Sequence, residues 1–211
     1  MRGVIQILGM VFYPLGVHLL IELHVPWLAV TGLVITSAIY LVLVAGLQRD
    51  TGARPAWLGL YLGLTLLGVL NLLTATHYAL YVPPVLINLG IAAAFASTLR
   101  PGAVTLVERM MRFEYGGAAP PPALRAYARR LTWTWAIYFA AVAVASLALA
   151  FAVPLDRWSW FTNVLHYVMA LSLLLGQYLY RNWRYREHGF VMPWDTLRGM
   201  GRRPWRDSIA K

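Results

Sequence analysis

The sequence contains no cysteine and few charged residues. Without cysteine, a disulfide scaffold, a thiolate metal site and a cysteine nucleophile are all excluded. Charged residues make up 12% of the chain and hydrophobic residues 60%, against about 25% and roughly 45–50% in a soluble domain. Disordered segments are also excluded as a description of the whole chain, because such segments are polar. The composition therefore predicts a polytopic membrane protein.

Acidic residues are especially scarce, with 8 Asp plus Glu against 18 Lys plus Arg and a net charge of +10. The sequence contains no zinc-protease motif, no phosphate-binding loop, no dinucleotide fingerprint and no nucleophile elbow. No cluster of carboxylates is suited to Mg²⁺ and phosphate. We therefore expect a protein that is not an enzyme and that uses no cofactor and no metal.

Six apolar segments approach the roughly 17–25 residues that a helix needs to cross the hydrocarbon of a bilayer. The first contains Pro14 and His18, so a re-entrant segment is the alternative there to a complete crossing. A cleaved signal peptide is less consistent with it, because no small-x-small cleavage site follows. The expected fold is all-α, a transmembrane bundle over residues 1–185 followed by a basic, tryptophan-rich tail over 186–211. The six segments cover residues 4–21, 27–47, 57–73, 80–99, 131–153 and 158–180.

The positions of the basic residues predict the orientation. In a six-span arrangement 17 of the 18 Lys and Arg residues fall on one side, and only Arg157 falls on the other. The positive-inside rule places the basic side in the cytoplasm. We therefore predict a bacterial inner-membrane protein with both termini cytoplasmic. Five tryptophans near the span ends are typical of an interfacial belt: Trp27, Trp57, Trp133, Trp158 and Trp160.

The loop over residues 100–130 contains a patterned segment, Ala103–Phe113. Its residues Thr105, Glu108, Arg109 and Arg112 have the spacing of one helical face. Because the remaining positions are mostly apolar, we expect a short interfacial helix that pairs its arginines with anionic lipid. A helix that caps the bundle without lipid contact is the alternative. The Gly- and Pro-rich residues 116–122 are predicted to be a linker, in which Pro122 could be the first residue of the next helix.

The basic face is the expected binding surface. Its predicted partners are anionic lipid headgroups and other envelope or lipid-biosynthesis proteins, and a homo-oligomer is compatible with it. Nucleic acid is not expected, because basic and aromatic residues beside a membrane more simply indicate headgroup anchoring. The candidates for lipid or partner binding are Arg109, Arg112, Arg125, Arg129, Arg130, Trp183 and Trp194.

Several polar side chains fall within the apolar segments, where such residues are functional candidates. His18 and Glu22 share a helical face and could relay a proton or hold a metal. The others could line a polar path, although hydrogen bonding between helices is their more common role. Gly59, Gly63 and Gly68 form a face of small residues that permits close helix approach. The intramembrane candidates are His18, Glu22, Asn71, Asn88, Asn163 and His166.

Four motifs in the second half carry a resemblance to a known family. They are Leu106-Val-Glu-Arg-Met110, Leu131-Thr-Trp-Thr-Trp-Ala-Ile-Tyr-Phe139, Trp158-Ser-Trp-Phe-Thr-Asn-Val164 and Tyr178-Leu-Tyr-Arg181. Over about residues 80–185 the chain resembles the intracellular septation protein A family of inner-membrane proteins. With Leu99-Arg-Pro-Gly102 it is still more similar to a group of small bacterial membrane proteins found near ketosynthase and polyene-pigment biosynthesis genes. The Gly/Pro linker and the Trp/Arg tail depart from the septation proteins and favour the second group.

The resemblance implies a role in cell-envelope maintenance, division or a lipid-linked process, and it implies no catalytic residue. Our leading hypothesis is a non-enzymatic membrane protein that assists such a process by binding lipids or partners through its basic face. The alternative is a small transporter or channel for an apolar or lipid-linked substrate such as a polyene lipid. A membrane enzyme with His18, Glu22 or His166 as acid–base groups is the third hypothesis.

Overall fold

The computed structural model describes residues 14–47, 54–192 and 194, and every regular element among them is a helix. A first helix, α1, covers 14–22. The helices that follow are α2 (Pro26–Leu47), α3 (Arg54–Leu73), α4 (Val82–Ser97), α5 (Leu106–Glu114), α6 (Pro122–Ala152), α7 (Leu155–Trp160) and α8 (His166–Arg184). A 3₁₀ turn over Tyr78–Tyr81 leads into α4, and a π-helical turn over Phe161–Leu165 joins α7 to α8.

Three of the described helical segments are long and apolar enough to cross a membrane: Tyr78–Ser97, Pro122–Ala152 and Leu155–Arg184. Many of their apolar side chains point outward, for example Val144, which is 66% exposed, and Phe151, which is 86% exposed. Burying these side chains in lipid is the physical reason for such a surface. The all-helical, membrane-compatible fold expected from the sequence is therefore found. Of the first expected span, residues 4–13 lie outside the described residues.

The helices end where the sequence carries proline, charge or small polar residues. The turn after α1 contains His24, and the turn after α3 contains Ala75, both with positive φ of 60° and 51°. The break between α6 and α7 lies at Val153 and Pro154. Helix α6 begins at Pro122 as predicted, because the missing N–H of a proline is not needed in the first helical turn.

Helix α5 is terminated at both ends by specific hydrogen bonds. At its start the Thr105 hydroxyl accepts from the Glu108 N–H at 3.4 Å, and the Thr98 hydroxyl accepts from the Leu106 N–H at 3.0 Å. At its end Gly116 adopts a φ of 64°, and the Gly117 N–H donates to the Arg112 carbonyl at 2.7 Å. This is the Schellman arrangement, in which glycine is favoured at the left-handed position. Gly116 and Gly117, the first residues of the expected linker, therefore form the C-terminal cap of α5.

The chain divides into two compact units. One contains residues 14–86 and 145–166 among those described, and the other contains 87–144 and 167–194. In the first unit, α2 and α3 pack as an antiparallel pair in which the Thr65 hydroxyl donates to the Ser37 hydroxyl at 3.0 Å. The core of the second unit is built around Leu124, Ala128 and Trp135 of α6.

One tryptophan of the expected interfacial belt is placed differently. Trp158 is completely buried, and its indole N–H donates to the Ser146 carbonyl at 2.9 Å. Its ring also meets the edge of Tyr81 at 4.7 Å between centroids. The expectation for Trp158 was therefore wrong, because this residue faces the helix contact. Trp27, Trp133 and Trp160 are 57%, 51% and 50% exposed.

Candidate functional site

The arginines of α5 do not form the outward-facing row that the spacing suggested. Arg112 is only 8% exposed, and its Nη2 lies 3.5 Å from the Glu108 carboxylate. Arg109 is partly buried, and its Nε donates to the Val104 carbonyl at 3.2 Å. Glu108 is itself buried. The charged side of α5 therefore packs inside the second unit, and Arg112 serves the fold.

Two of the three basic candidates on α6 are exposed, and the third is bound within the unit. The Arg129 guanidinium donates from Nη2 to the carbonyls of Leu99 and Arg100. These contacts hold the segment that follows α4 against α6. Arg125 and Arg130 are exposed, so they remain available to a lipid headgroup or a partner.

Exposed arginine and tryptophan side chains occur in the first third of α6 and at the end of α8. On α6, Trp133 follows Arg130 by three residues, which places the two side chains on neighbouring positions of one face. On α8, Trp183 is 74% exposed and the adjacent Arg184 is also exposed. The two ends are neighbours, since the Tyr127 ring lies 5.8 Å from the Tyr180 ring. Below, these four residues (Arg130, Trp133, Trp183 and Arg184) together with Arg125 are called the basic rim.

The tail is described only in its first part. Residues 186–188 form a 3₁₀ turn, and the Asn182 side chain holds the Val191 backbone by two hydrogen bonds of 2.8 and 3.0 Å. Trp194 is 50% exposed. The rest of the tail, including Trp205 and its five remaining basic residues, lies outside the described residues.

A buried ion pair joins α5 to the end of α8. Nη1 of Arg181 lies 2.7 Å from Oε2 of Glu114, and the two side chains are 5% and 7% exposed. Within the described residues, Nη2 of Arg181 is buried and makes no hydrogen bond. A buried donor without a hydrogen bond on a charged group costs folding free energy.

The ion pair forms part of the wall of a partly open cavity of about 210 Å³. The rest of the wall is largely apolar and aromatic, with contributions from α4, α5, α6 and α8. An apolar cavity with a few polar groups in its wall is typical of a small-molecule site. The lining residues are Ile91, Phe95, Val107, Met110, Met111, Glu114, Tyr127, Leu131, Trp135, Phe139, Leu174, Gln177, Tyr178 and Arg181.

Gln177 organises the α6 side of this cavity. Its side-chain oxygen accepts from the Trp135 indole N–H at 3.0 Å, and its carbonyl accepts from the Tyr127 hydroxyl at 2.8 Å. The aromatic ring of Phe95 stacks on Trp135 at 6.2 Å between centroids. The indole N–H of Trp135 is thus satisfied within the wall of the cavity.

In the first unit, two of the intramembrane candidates meet at Ser159. The Ser159 hydroxyl lies 3.1 Å from Nδ1 of His18 and accepts from Nδ2 of Asn163 at 3.0 Å. A serine beside a histidine resembles an activated nucleophile, but Ser159 is completely buried. The hydroxyl therefore links α1 to α7 by a hydrogen bond and is not accessible to a substrate. Glu22 is exposed at the end of α1.

The other intramembrane candidates are all buried. Oδ1 of Asn71 accepts from the buried backbone N–H of Ala79 at 2.7 Å, which fixes the turn between α3 and α4. Asn88 lies buried in α4, and His166 lies buried at the start of α8. The side chain of Asn71 therefore hydrogen-bonds to the backbone, whereas that of Asn163 hydrogen-bonds to Ser159. Within the described residues no group of three or more His, Asp or Glu side chains could hold a metal ion.

Sequence reasoning did not find the Glu114–Arg181 pair or the cavity beside it. Arg181 is one of eight basic residues at the end of the chain, and nothing in its spacing marks it as the buried one. Glu114 offered the better signal, because it is the acidic residue that ends a short amphipathic helix in a strongly basic loop.

No protein-family model matches the chain, and no curated protein or solved structure matches it.

Proposed function

We propose that the chain is a non-enzymatic, six-span protein of the bacterial inner membrane that binds anionic lipid headgroups through its basic rim. In this role it assists a cell-envelope or lipid-linked process, in keeping with the resemblance to septation protein A and the polyene-associated group. The observation that carries the proposal is the pairing of exposed arginine with exposed tryptophan at the adjoining ends of α6 and α8.

The chemistry of the basic rim suits a membrane surface. Tryptophan is favoured at the boundary between headgroups and hydrocarbon because its ring is amphipathic. Arginine beside it can pair with lipid phosphates, at about 1 kcal/mol for each basic residue near an anionic surface. Below Trp133 on the same face of α6, Ile137 is 61% exposed, which continues the surface from polar to apolar.

Helix length supports five of the six proposed spans. Helices α2 and α3 have 22 and 20 residues, which matches the roughly 20 residues of a crossing. With the three longer helical segments that could cross a membrane, they make five of the six crossings that we propose. Residues 14–21 of the remaining proposed span lie in α1. The positions of the basic residues then favour cytoplasmic termini.

Lipid analysis of purified protein tests the basic rim. The triple variant Arg125→Gln, Arg130→Gln, Arg184→Gln should retain several-fold less phosphatidylglycerol relative to phosphatidylethanolamine than the wild type in gentle detergent. Arg157→Gln is the matched control, because Arg157 is exposed and lies on the opposite side in the six-span arrangement. Equal phosphatidylglycerol in the triple variant and the wild type would reject the proposal, as would an equal loss in Arg157→Gln.

The absence of cysteine makes the topology directly testable. Single cysteines placed at His24, Thr74 or Arg157 should react with a membrane-impermeant maleimide in cells whose outer membrane has been opened. Cysteines at Arg125 or Arg184 should react only after the inner membrane is permeabilised. Labelling of His24→Cys or Thr74→Cys only after permeabilisation would contradict six spans.

A further inference from the structure

We propose that residues 185–192, called the return loop below, anchor the protein in the interfacial layer of a bilayer by inserting the Phe190 side chain. The partner is the boundary between headgroups and hydrocarbon of a lipid surface, whatever its charge. None of the basic-rim residues belongs to the return loop. The inference rests on α8 crossing a membrane, which is part of the proposed function, but it does not depend on lipid binding by the basic rim.

The course of the return loop is fixed at two points. After the 3₁₀ turn over residues 186–188, Gly189 has a φ of 87° and a ψ of 158°, a combination that is essentially restricted to glycine. Nδ2 of Asn182 then donates to the Val191 carbonyl at 2.8 Å, and the Val191 N–H donates to Oδ1 of Asn182 at 3.0 Å. Because both backbone polar groups of Val191 pair with one side chain, the backbone next to Phe190 is held beside α8.

Phe190 is held there with most of its side chain uncovered. It is 75% exposed. Trp183, which follows Asn182 on α8, is 74% exposed, and Trp194 is 50% exposed. Transfer of such rings from water to an apolar environment is favourable, and a group of exposed apolar side chains is typical of an interaction surface.

The position of the loop indicates what covers these rings. The helical segment Leu155–Arg184 is long and apolar enough to cross a membrane, and Asn182 lies two residues before its end. The two hydrogen bonds to Val191 therefore hold Phe190 close to the end of a crossing helix, where the headgroup region of the bilayer begins. Tryptophan and phenylalanine are favoured at this depth, so the lipid surface is the partner that fits.

The segment around Phe190 has no charge of its own. Gly189–Trp194 reads Gly-Phe-Val-Met-Pro-Trp and contains no Lys, Arg, Asp or Glu. Insertion of Phe190 is then driven by burial of apolar surface and not by pairing with lipid phosphate. We therefore expect insertion in a neutral bilayer and at high salt, conditions in which the exposed charges of the basic rim are without anionic partners and are screened.

The absence of cysteine allows the depth of single positions to be measured. A nitroxide is attached to Phe190→Cys in the full-length protein, in nanodiscs of neutral phosphatidylcholine. Its collisions with oxygen, which concentrates in the bilayer, are compared with its collisions with a water-soluble nickel chelate. The oxygen-to-nickel ratio should be at least about fivefold higher than for the same label at Glu187→Cys, since interfacial segments lie about 5–10 Å into the boundary. The Glu187 side chain is 74% exposed in the same loop, and equal ratios at the two positions would overturn the proposal.

One substitution tests how the loop is positioned. Asn182→Ala removes both hydrogen bonds to Val191 and should lower the ratio at position 190 at least about twofold, because the loop can then open locally. Arg186→Gln is the matched control, since it changes an exposed side chain of the loop and leaves the two hydrogen bonds in place. An unchanged ratio in Asn182→Ala would overturn the positioning by Asn182.

Proteolysis tests Phe190 without a label. In the same nanodiscs, trypsin should cut after Arg186 several-fold faster in Phe190→Ser than in the wild type. Phe190→Trp should be cut at the wild-type rate, because tryptophan also favours the interface. Equal rates for Phe190→Ser and the wild type would contradict the anchor.

The basic rim and the return loop can fail independently. Phosphatidylglycerol retention should be unchanged in Phe190→Ser. The depth of position 190 should be unchanged in the triple variant Arg125→Gln, Arg130→Gln, Arg184→Gln. A loss of depth in the triple variant would show that the charges of the rim hold the loop, and it would overturn an anchor that works without them.

Discussion

Glu114 at the end of α5 and Arg181 near the end of α8 form a buried ion pair with 2.7 Å between Oε2 and Nη1. The pair fixes the short helix of the 100–130 loop to the last long helix of the chain. Among the described residues, Arg181 is one of two buried arginines of the second unit, and like Arg112 it is paired with a carboxylate, as a buried guanidinium requires. Its consequences can be measured.

Removing one partner of this pair should be strongly destabilising. Arg181→Met leaves the Glu114 carboxylate buried without its cation, and we expect a loss of about 3–5 kcal/mol in unfolding free energy. Adding Glu114→Gln should recover most of that loss, because no isolated charge then remains. Unfolding in mixed detergent, followed by circular dichroism, measures the cycle. Arg184→Gln, on an exposed arginine of the same helix, should change stability by less than about 0.5 kcal/mol; additive effects in the cycle would contradict the pairing.

The close approach of α2 and α3 should depend on one glycine. A Cβ on Gly68 would lie 2.5 Å from Cγ2 of Val34, whereas a Cβ on Gly63 would meet nothing within 4 Å. Gly68→Ala should therefore cost about 1–3 kcal/mol through overpacking. Gly63→Ala should be neutral or slightly stabilising, since alanine favours a helix. Thermal unfolding in detergent compares the two variants.

A compensating change tests the same contact. Val34→Ala shortens the side chain that the new methyl group would meet, so it should restore much of the stability lost in Gly68→Ala. If Gly68→Ala proves as stable as Gly63→Ala, the helix contact is not the one described.

The hydrogen bond between Trp135 and Gln177 should stabilise the α6–α8 contact by about 0.6–2 kcal/mol, the range for side-chain bonds between membrane helices. Gln177→Leu leaves the indole N–H of Trp135 without its acceptor. The double variant with Trp135→Phe should lose less than the two single changes together, because the donor is removed as well. Denaturant unfolding of all three variants gives the coupling, and a coupling of zero would exclude the bond.

Asn71 should stabilise the turn between α3 and α4. Its Oδ1 accepts from the N–H of Ala79, a residue that is completely buried. Asn71→Leu should therefore cost about 1–3 kcal/mol, as expected when a buried donor loses its partner. Leu72→Ala, at the neighbouring outward-facing position, is the control and should have a smaller effect. Faster proteolysis within residues 74–77 would locate the change, and resistance equal to the wild type would contradict this role.

Much of the fold could be predicted because hydropathy and helix breakers act locally. The apolar runs predicted α2, α3, α4 and the long helices of the second half, and the proline-containing breaks predicted their ends. The start of α6 followed from the missing N–H of Pro122. Such features depend on a few neighbouring residues, so they can be predicted from the sequence alone.

The candidate site could be predicted only in part. Arg125, Arg130 and Trp183 are exposed as a binding surface requires. Arg112 and Arg129 are engaged within the protein, and Trp158 lies in a helix contact. Helical spacing shows which residues share a face, but it does not show whether that face meets lipid or another helix. The environment of a helix face is decided by whether another helix packs against it in the folded protein.

The sequence by itself determined that this protein is helical, apolar enough for a membrane and strongly asymmetric in its basic residues. These properties follow from transfer free energies and backbone hydrogen bonding within each segment. Only the tertiary structure decided that Glu114 meets Arg181, that Gly68 meets Val34, and that a cavity opens beside Trp135. Those contacts join residues far apart in the chain, and the low polarity of the packed interior makes each of them energetically specific.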